Sequence, residues 1–220
     1  VTDRAPERES PPARIHHVAM VAGGVSIALG SAVMLGWTIH SVALVQVVPG
    51  FVPMQYNAAL GFLLSGAGLL LAATRSPRLT PLILASGTVA AAIGLLTLIE
   101  YMFGVQLGID QLLMEPFTAV KTLHPGRMVP ITAGSFVLVG GGLLALSRPR
   151  GSSRDSVVAG VCAAILLTLS LATFVAYLAG WETLFARSHH SSSYMAVHAA
   201  AGFAVLGAGL FLLALRQAAK

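Results

Sequence analysis

Five polar residues stand where their neighbours are almost all apolar. Glu100 closes the run "LIEYMFG", Asp110 lies in "LGIDQLL", and Arg127 in "HPGRM". Asn57 sits in "MQYNAAL" and His198 in "MAVHAAA". Within an apolar run a polar or ionisable group such as Glu100, Asn57 or His198 is costly unless paired, so it marks a ligand, proton or ion site, or a buried structural bond. Asp110 either caps a short helix or pairs with Arg127. Glu100, at the end of its run, either functions there or reaches water by extending its side chain. These five residues are the candidates for a sensing or ligand site. His189, His190 and His198 belong to the His-rich tract "RSHHSSSYMAVH", and imidazole suits zinc, copper, iron and nickel. They are the candidate metal ligands. No H-x3-H pair with a third partner on one helix face accompanies them. A haem between two helices needs two facing histidines, and only His198 clearly lies within a run. The cofactor stays open.

Enzyme chemistry finds no footing. Paired carboxylates are missing from the apolar runs, and no serine or cysteine nucleophile has a base nearby. Gly140–Gly142 falls in mid-run, not at the strand–helix turn of a phosphate loop. The single cysteine, Cys162, has no partner for an internal disulfide.

The elements that must position these groups follow from composition. The chain of 220 residues is 56% hydrophobic and 10% charged, with mean hydropathy +0.83. Soluble domains carry about a quarter charged residues. Charges here fall in short clusters between apolar runs, at 17–39, 54–73, 80–103, 128–147, 156–179 and 195–215. Each run is long enough for the ~30 Å hydrocarbon core, and backbone in lipid must bond to itself. The expectation is an all-α integral membrane protein with six transmembrane helices over 17–215. Residues 1–16 read as a disordered cytoplasmic tail and 216–220 as a cytoplasmic end. Of the 13 Lys and Arg, all but Lys121, Arg127 and Arg187 fall on the side of both termini. The positive-inside rule then makes the chain N-in and C-in, and accounts for the net charge of +5 without nucleic acid. Trp37, Trp181, Tyr101 and Phe103 are expected as interfacial anchors at the opposite side. Leu107, Ile109, Leu112 and Leu113 read as a short amphipathic helix in an outer loop.

The runs repeat. Aligning Met54, Met128 and Met195 brings Ala59, Ala133 and Ala200 together five positions on, and Phe62, Phe136 and Phe203 eight positions on. Gly66, Gly140 and Gly207 follow at twelve, Gly68, Gly142 and Gly209 at fourteen, and Leu69, Leu143 and Leu210 at fifteen. At 100° per residue, the Ala, Phe, first Gly and Leu share an arc of about 80°. Lipid contact demands only apolarity, so a fixed stripe of Phe and Gly predicts helix–helix contact. The helices before each repeat end alike, at "LGW", "FGV" and "AGW". The expected architecture is three parallel two-helix hairpin repeats about an axis along the membrane normal. Asn57, Ile131 and His198 then fall at matching depths.

These pieces resemble a known family. "VPGFVPMQYNAALGFLLSGAGLLL", "LLTLIEYMFGVQLGIDQLL", "HPGRMVPITAGSFVLVGGGLLAL" and "MAVHAAAGFAVLGAGLFLLA" are similar to the multi-span N-terminal sensor region of bacterial PAS-containing histidine kinases and diguanylate cyclases. The family pattern has M-x-x-N-T-A-L twice and M-x-x-H-T-A-L once, with L-E-Y-x-F-G-x-D-L-G-I-D-Q-L-L and P-G-R-M. This chain departs from it at Ile131, Gln106, Ala58 and Ala199. The resemblance covers nearly everything after residue 16. It implies a non-enzymatic sensor in the bacterial inner membrane that passes a signal to a cytoplasmic output domain or partner. The competing expectation is an accessory subunit of a respiratory or photosynthetic membrane complex. Membrane lipid and other protein chains are the expected partners in either case.

Overall fold

The computed structural model describes residues 11–47, 51–74, 76–117, 124–148, 152–180 and 194–219. Among these, all regular structure is helical. The helices are α1 (Pro11–Thr38), α2 (Val42–Gln46), α3 (Tyr56–Thr74), α4 (Thr80–Phe103), α5 (Pro130–Leu146), α6 (Ser153–Leu178) and α7 (Val197–Ala218), with a 3-10 turn at Pro77–Leu79. Five of them, α1, α3, α4, α6 and α7, are long and apolar enough to cross a membrane. The chain is a multi-pass membrane protein on that ground. The apolar α5 has 17 residues, so it spans about 25 Å at 1.5 Å per residue.

Helix α1 begins at Pro11, inside the stretch expected to be a tail. Proline suits a first turn, where its missing N–H costs no bond. His16 helps hold this start in place, with Nδ1 3.0 Å from the Ala73 carbonyl at the end of α3. Residues 1–10 lie outside the described residues. Helix α6 opens on a capping box between Ser152 and Asp155, and Arg148 Nη1 donates to Asp155 Oδ1 at 2.6 Å.

The helices pair as antiparallel neighbours: α1 with α3, α4 with α5, and α6 with α7. Small residues set the close approach. A Cβ on Gly23 would fall 2.8 Å from the Gly66 carbonyl, and one on Gly140 2.5 Å from the Gly87 carbonyl. Gly207 faces the Ala163 carbonyl in the same manner. Half or more of the apolar window of α3 and α7 is buried, against a third or less for α1, α4 and α6. The three repeat-bearing helices, α3, α5 and α7, therefore form the inner layer.

Their shared stripe meets at the centre. The rings of Phe62, Phe136 and Phe203 are mutual neighbours, with centroids 5.2, 4.9 and 4.6 Å apart. One turn and more further along, Gly68 faces Leu143, Gly142 faces Leu210, and Gly209 faces Leu69. Each helix thus offers a glycine to one neighbour and receives a glycine from the other. Ala22 of α1 also lies against Gly209 of α7, so the start of α1 and the end of α7 share one end of the bundle.

Gly94→Ala is expected to lower stability by about 1–3 kcal/mol, the usual effect of overpacking. Its Cβ would land on the Ala133 carbonyl, which backbone geometry holds in place. At Gly134 in the same helix pair a Cβ meets nothing within 4 Å. Gly134→Ala is expected to be neutral, or stabilising by about 0.5–1 kcal/mol. Thermal unfolding of both variants in detergent checks the contrast.

Candidate functional site

The site lies at the end of the bundle away from the start of α1 and the end of α7. Helix α4 carries Glu100 and Tyr101 in its last turn and stops at Gly104, which takes the left-handed φ of +63°. The amphipathic helix expected around Leu107–Leu113 does not form. Gly108 turns to a left-handed φ of +75°, and the Leu107 N–H donates to Glu100 Oε1 at 2.7 Å. Leu112 and Leu113 are exposed, while Asp110 turns inward.

Arg127 gathers this segment. Its Nε donates to Asp110 Oδ2 at 2.7 Å and lies 3.3 Å from Glu100 Oε2. Nη2 donates to the Val105 carbonyl at 3.4 Å. The guanidinium carbon sits 5.3 Å from the centre of the Tyr101 ring, a favourable cation–π position. His124 packs edge-on against Tyr101, and its carbonyl accepts from the Arg127 N–H at 3.1 Å. Gln111 Nε2 donates to the Pro125 carbonyl at 3.1 Å, closing the loop onto itself. Three of the five sequence candidates, Glu100, Asp110 and Arg127, are thus one cluster.

Its electrostatics are unusual. Glu100 is fully buried, and the side chains of Arg127 and Asp110 are 3% and 13% exposed. Two carboxylates share one guanidinium, so the ionised cluster carries one excess negative charge. Glu100 Oε2 and Asp110 Oδ1 have no hydrogen-bond partner among the described residues. Such an arrangement can exchange a proton or respond to a nearby charge, because buried charges interact over a low dielectric.

Beside the cluster a narrow pocket opens on the centre of the bundle. Each inner helix lines it with its third residue, Ala58, Thr132 or Ala199, and with the residue just before the helix, Gln55, Val129 or Ala196. Tyr101, His124 and Arg127 complete one wall. Its core holds about 20 Å³, room for a water or a small ion. The third-residue positions precede the three phenylalanines by one turn on the same face. Gln55 was not among the sequence candidates. Its register would have found it, because the first and fourth positions after each repeated Met project to the side of the Phe stripe.

Asn57 and His198 do not line the pocket. They stand three positions after their Met, about 140° round the helix from the stripe. His198 is nonetheless buried, and its ring nitrogens make no hydrogen bond among the described residues. The backbone of Val45 in α2 lies alongside. Asn57 Oδ1 is likewise unpartnered. His189 and His190 lie outside the described residues, as does Trp181. No three His, Cys, Asp or Glu side chains converge as metal ligands among the described residues.

Trp37 corrects the expectation of an interfacial anchor. It is 1% exposed, and its indole N–H donates to the Met54 carbonyl at 2.9 Å. Tyr177 makes the matching bond, its hydroxyl donating to the Met195 carbonyl at 2.9 Å. Both tie the end of an outer helix to the start of its inner partner. Met54, Met128 and Met195 are all buried. Each stands five residues before a buried alanine, the spacing of a hydrophobic staple at a helix start.

Compared with protein families, with curated proteins and with solved structures, the chain matches none.

Proposed function

We propose that the chain is a membrane sensor module, with six crossings arranged as three parallel hairpins about a central axis. On this reading α5 is the sixth crossing, completed by the extended residues before it. Both termini face the cytoplasm of a bacterial inner membrane, and the Glu100–Arg127–Asp110 cluster faces outward. The cyclic contacts among the phenylalanines, glycines and leucines support the threefold arrangement.

The buried ionic cluster is the observation that carries the reading. It joins the end of α4 to the segment that starts α5, and it borders the central pocket. A proton or ligand there alters the charge balance that holds the two helices of one hairpin. That hairpin is packed against the other two, so the preferred packing of the bundle shifts between two states. Helix α7 then carries the shift to an output domain or partner protein.

A fusion tests this. The chain is joined after Lys220 to a diguanylate cyclase module, and the cyclic dinucleotide is measured in cells. Glu100→Gln and Asp110→Asn are expected to move output several-fold at unchanged protein level. Product formation itself requires the fused module to face the cytoplasm, where its nucleotide is found. Output unchanged by both substitutions would sink the sensor reading.

Exposed Met102, Phe103, Leu112 and Leu113 at the same end support the second reading, an accessory subunit that meets a larger membrane complex there. Stable co-purification with such a complex, together with an unresponsive fusion, would favour it.

A further inference from the structure

Two carboxyl groups crowd one N–H. Arg127 Nε carries a single hydrogen, and it goes to Asp110 Oδ2 at 2.7 Å. Glu100 Oε2 lies 3.3 Å from the same nitrogen and has no donor among the described residues. The other Glu100 oxygen, Oε1, already accepts from the Leu107 N–H. Oε2 is therefore a fully buried acceptor left over, and Asp110 Oδ1 is a second. The two side chains are within hydrogen-bonding reach of each other.

The charges do not balance. Arg127 is the only cation that touches these carboxylates among the described residues. Helices α3 and α5, packed against α4, contribute Tyr56 as their only titratable group. Tyr101, beside Glu100, turns its ring to Arg127, and His124 packs on that ring. Glu115, further along the loop, is exposed. With both acids ionised, one buried negative charge would have no counter-ion. Such a group takes up a proton instead, and when two carboxyls share a site one of them keeps its proton. The pair at the other end of the bundle shows the contrast. Asp155 has Arg148 to itself, and both its oxygens have donors, so it needs no proton. A metal ion suits the Glu100 cluster poorly, because it would stand against the guanidinium. A proton needs only one oxygen to carry it and one to accept it.

We propose that Glu100 is a carboxylic acid in the folded protein, with its proton on Oε2 and donated to the Asp110 carboxylate. Asp110 is the ionised partner because it holds the Nε hydrogen of Arg127. The cluster is then neutral: one acid, one carboxylate and one guanidinium. The proton adds a hydrogen bond between the last turn of α4 and the loop that follows it. When the proton leaves for water, that bond is lost and one negative charge stays behind. A signalling role for this proton rests on the sensor reading; its place in the cluster does not.

Infrared spectroscopy of the full chain in detergent at neutral pH tests the assignment. A carboxylic acid shows a C=O stretch that a carboxylate lacks. The wild type is expected to show one such band per chain, moved to lower frequency when the glutamate carboxyls carry a heavier carbon isotope. Glu100→Gln is expected to abolish it. Asp110→Asn should abolish it too, because Glu100 then ionises against Arg127. The amide bands of the same spectra report whether each variant is folded. The proposal is overturned if the wild type lacks the band, if the band follows labelled aspartate instead, or if it persists in either folded variant. Labelling of the wild type decides the matter if neither variant folds. A silent cyclase fusion beside a positive band would dismiss the sensor and keep the proton; a responsive fusion without the band would do the reverse.

Discussion

Arg127→Met is expected to destabilise the chain by about 3–5 kcal/mol, because it leaves two buried carboxylates without their counter-ion. The effect should exceed that of either acidic substitution. Glu100→Gln removes the more distant carboxylate, at 3.3 Å, and leaves the 2.7 Å bond to Asp110 intact. Its amide can still accept from the Leu107 N–H, so only a small change in stability is expected. The triple variant Arg127→Met, Glu100→Gln, Asp110→Asn should recover most of the loss, since neutral side chains need no counter-ion. Unfolding midpoints of the wild type, the three single variants and the triple variant in detergent provide the comparison. Wild-type stability in Arg127→Met would mean that the guanidinium does not neutralise the cluster. A triple variant as unstable as the single one would mean that its packing matters more than its charge.

Phe62→Ala should be comparably damaging, at about 3–5 kcal/mol. In a bilayer the transfer of apolar surface contributes little, because lipid is as apolar as the core. The cost comes from lost dispersion contacts around the void. Phe62 touches both other rings, and a Cβ on Gly202 would lie 2.5 Å from its edge. Neighbouring backbone at a glycine cannot grow to refill that space. Phe103→Ala removes the same atoms from a side chain that is 71% exposed, and little change in stability is expected. Similar losses for both variants, measured as unfolding midpoints in one detergent, would show that the three rings hold no special place in the core.

The inner layer was legible in the sequence because helical periodicity converts spacing into direction. Phe62, Phe136 and Phe203 shared a register, and the rings meet. The apolar runs that became α1, α3, α4, α6 and α7 were legible by length, since charge interrupts them only at their ends. The Asp110–Arg127 pair was one of two alternatives for Asp110, and it is the one that forms. What failed depended on tertiary contact. Trp37 has the composition of an interfacial anchor, but the Met54 carbonyl gives its N–H a buried partner. The apolar residues of Leu107–Leu113 fit a helix, yet Gly108 turns to a left-handed φ of +75° and Asp110 is drawn in by Arg127. Asn57 and His198 shared a depth with the pocket but not a direction. Gln55 carried no charge and no motif, so only its place beside the inner stripe distinguishes it.

The glycine–leucine contacts among α3, α5 and α7 close on themselves, and this restricts how the bundle can move. Two meshed helices turn about their own axes like a pair of gears, in opposite senses. Three gears that all touch one another jam, because the third cannot oppose both of its neighbours. Spinning any inner helix would therefore force a leucine out of its glycine notch. Tilting, sliding along the membrane normal or spreading apart keeps or loosens the mesh without that conflict. On the sensor reading proposed above, a stimulus at one end would reach the other as a piston stroke or a splay, not as a twist.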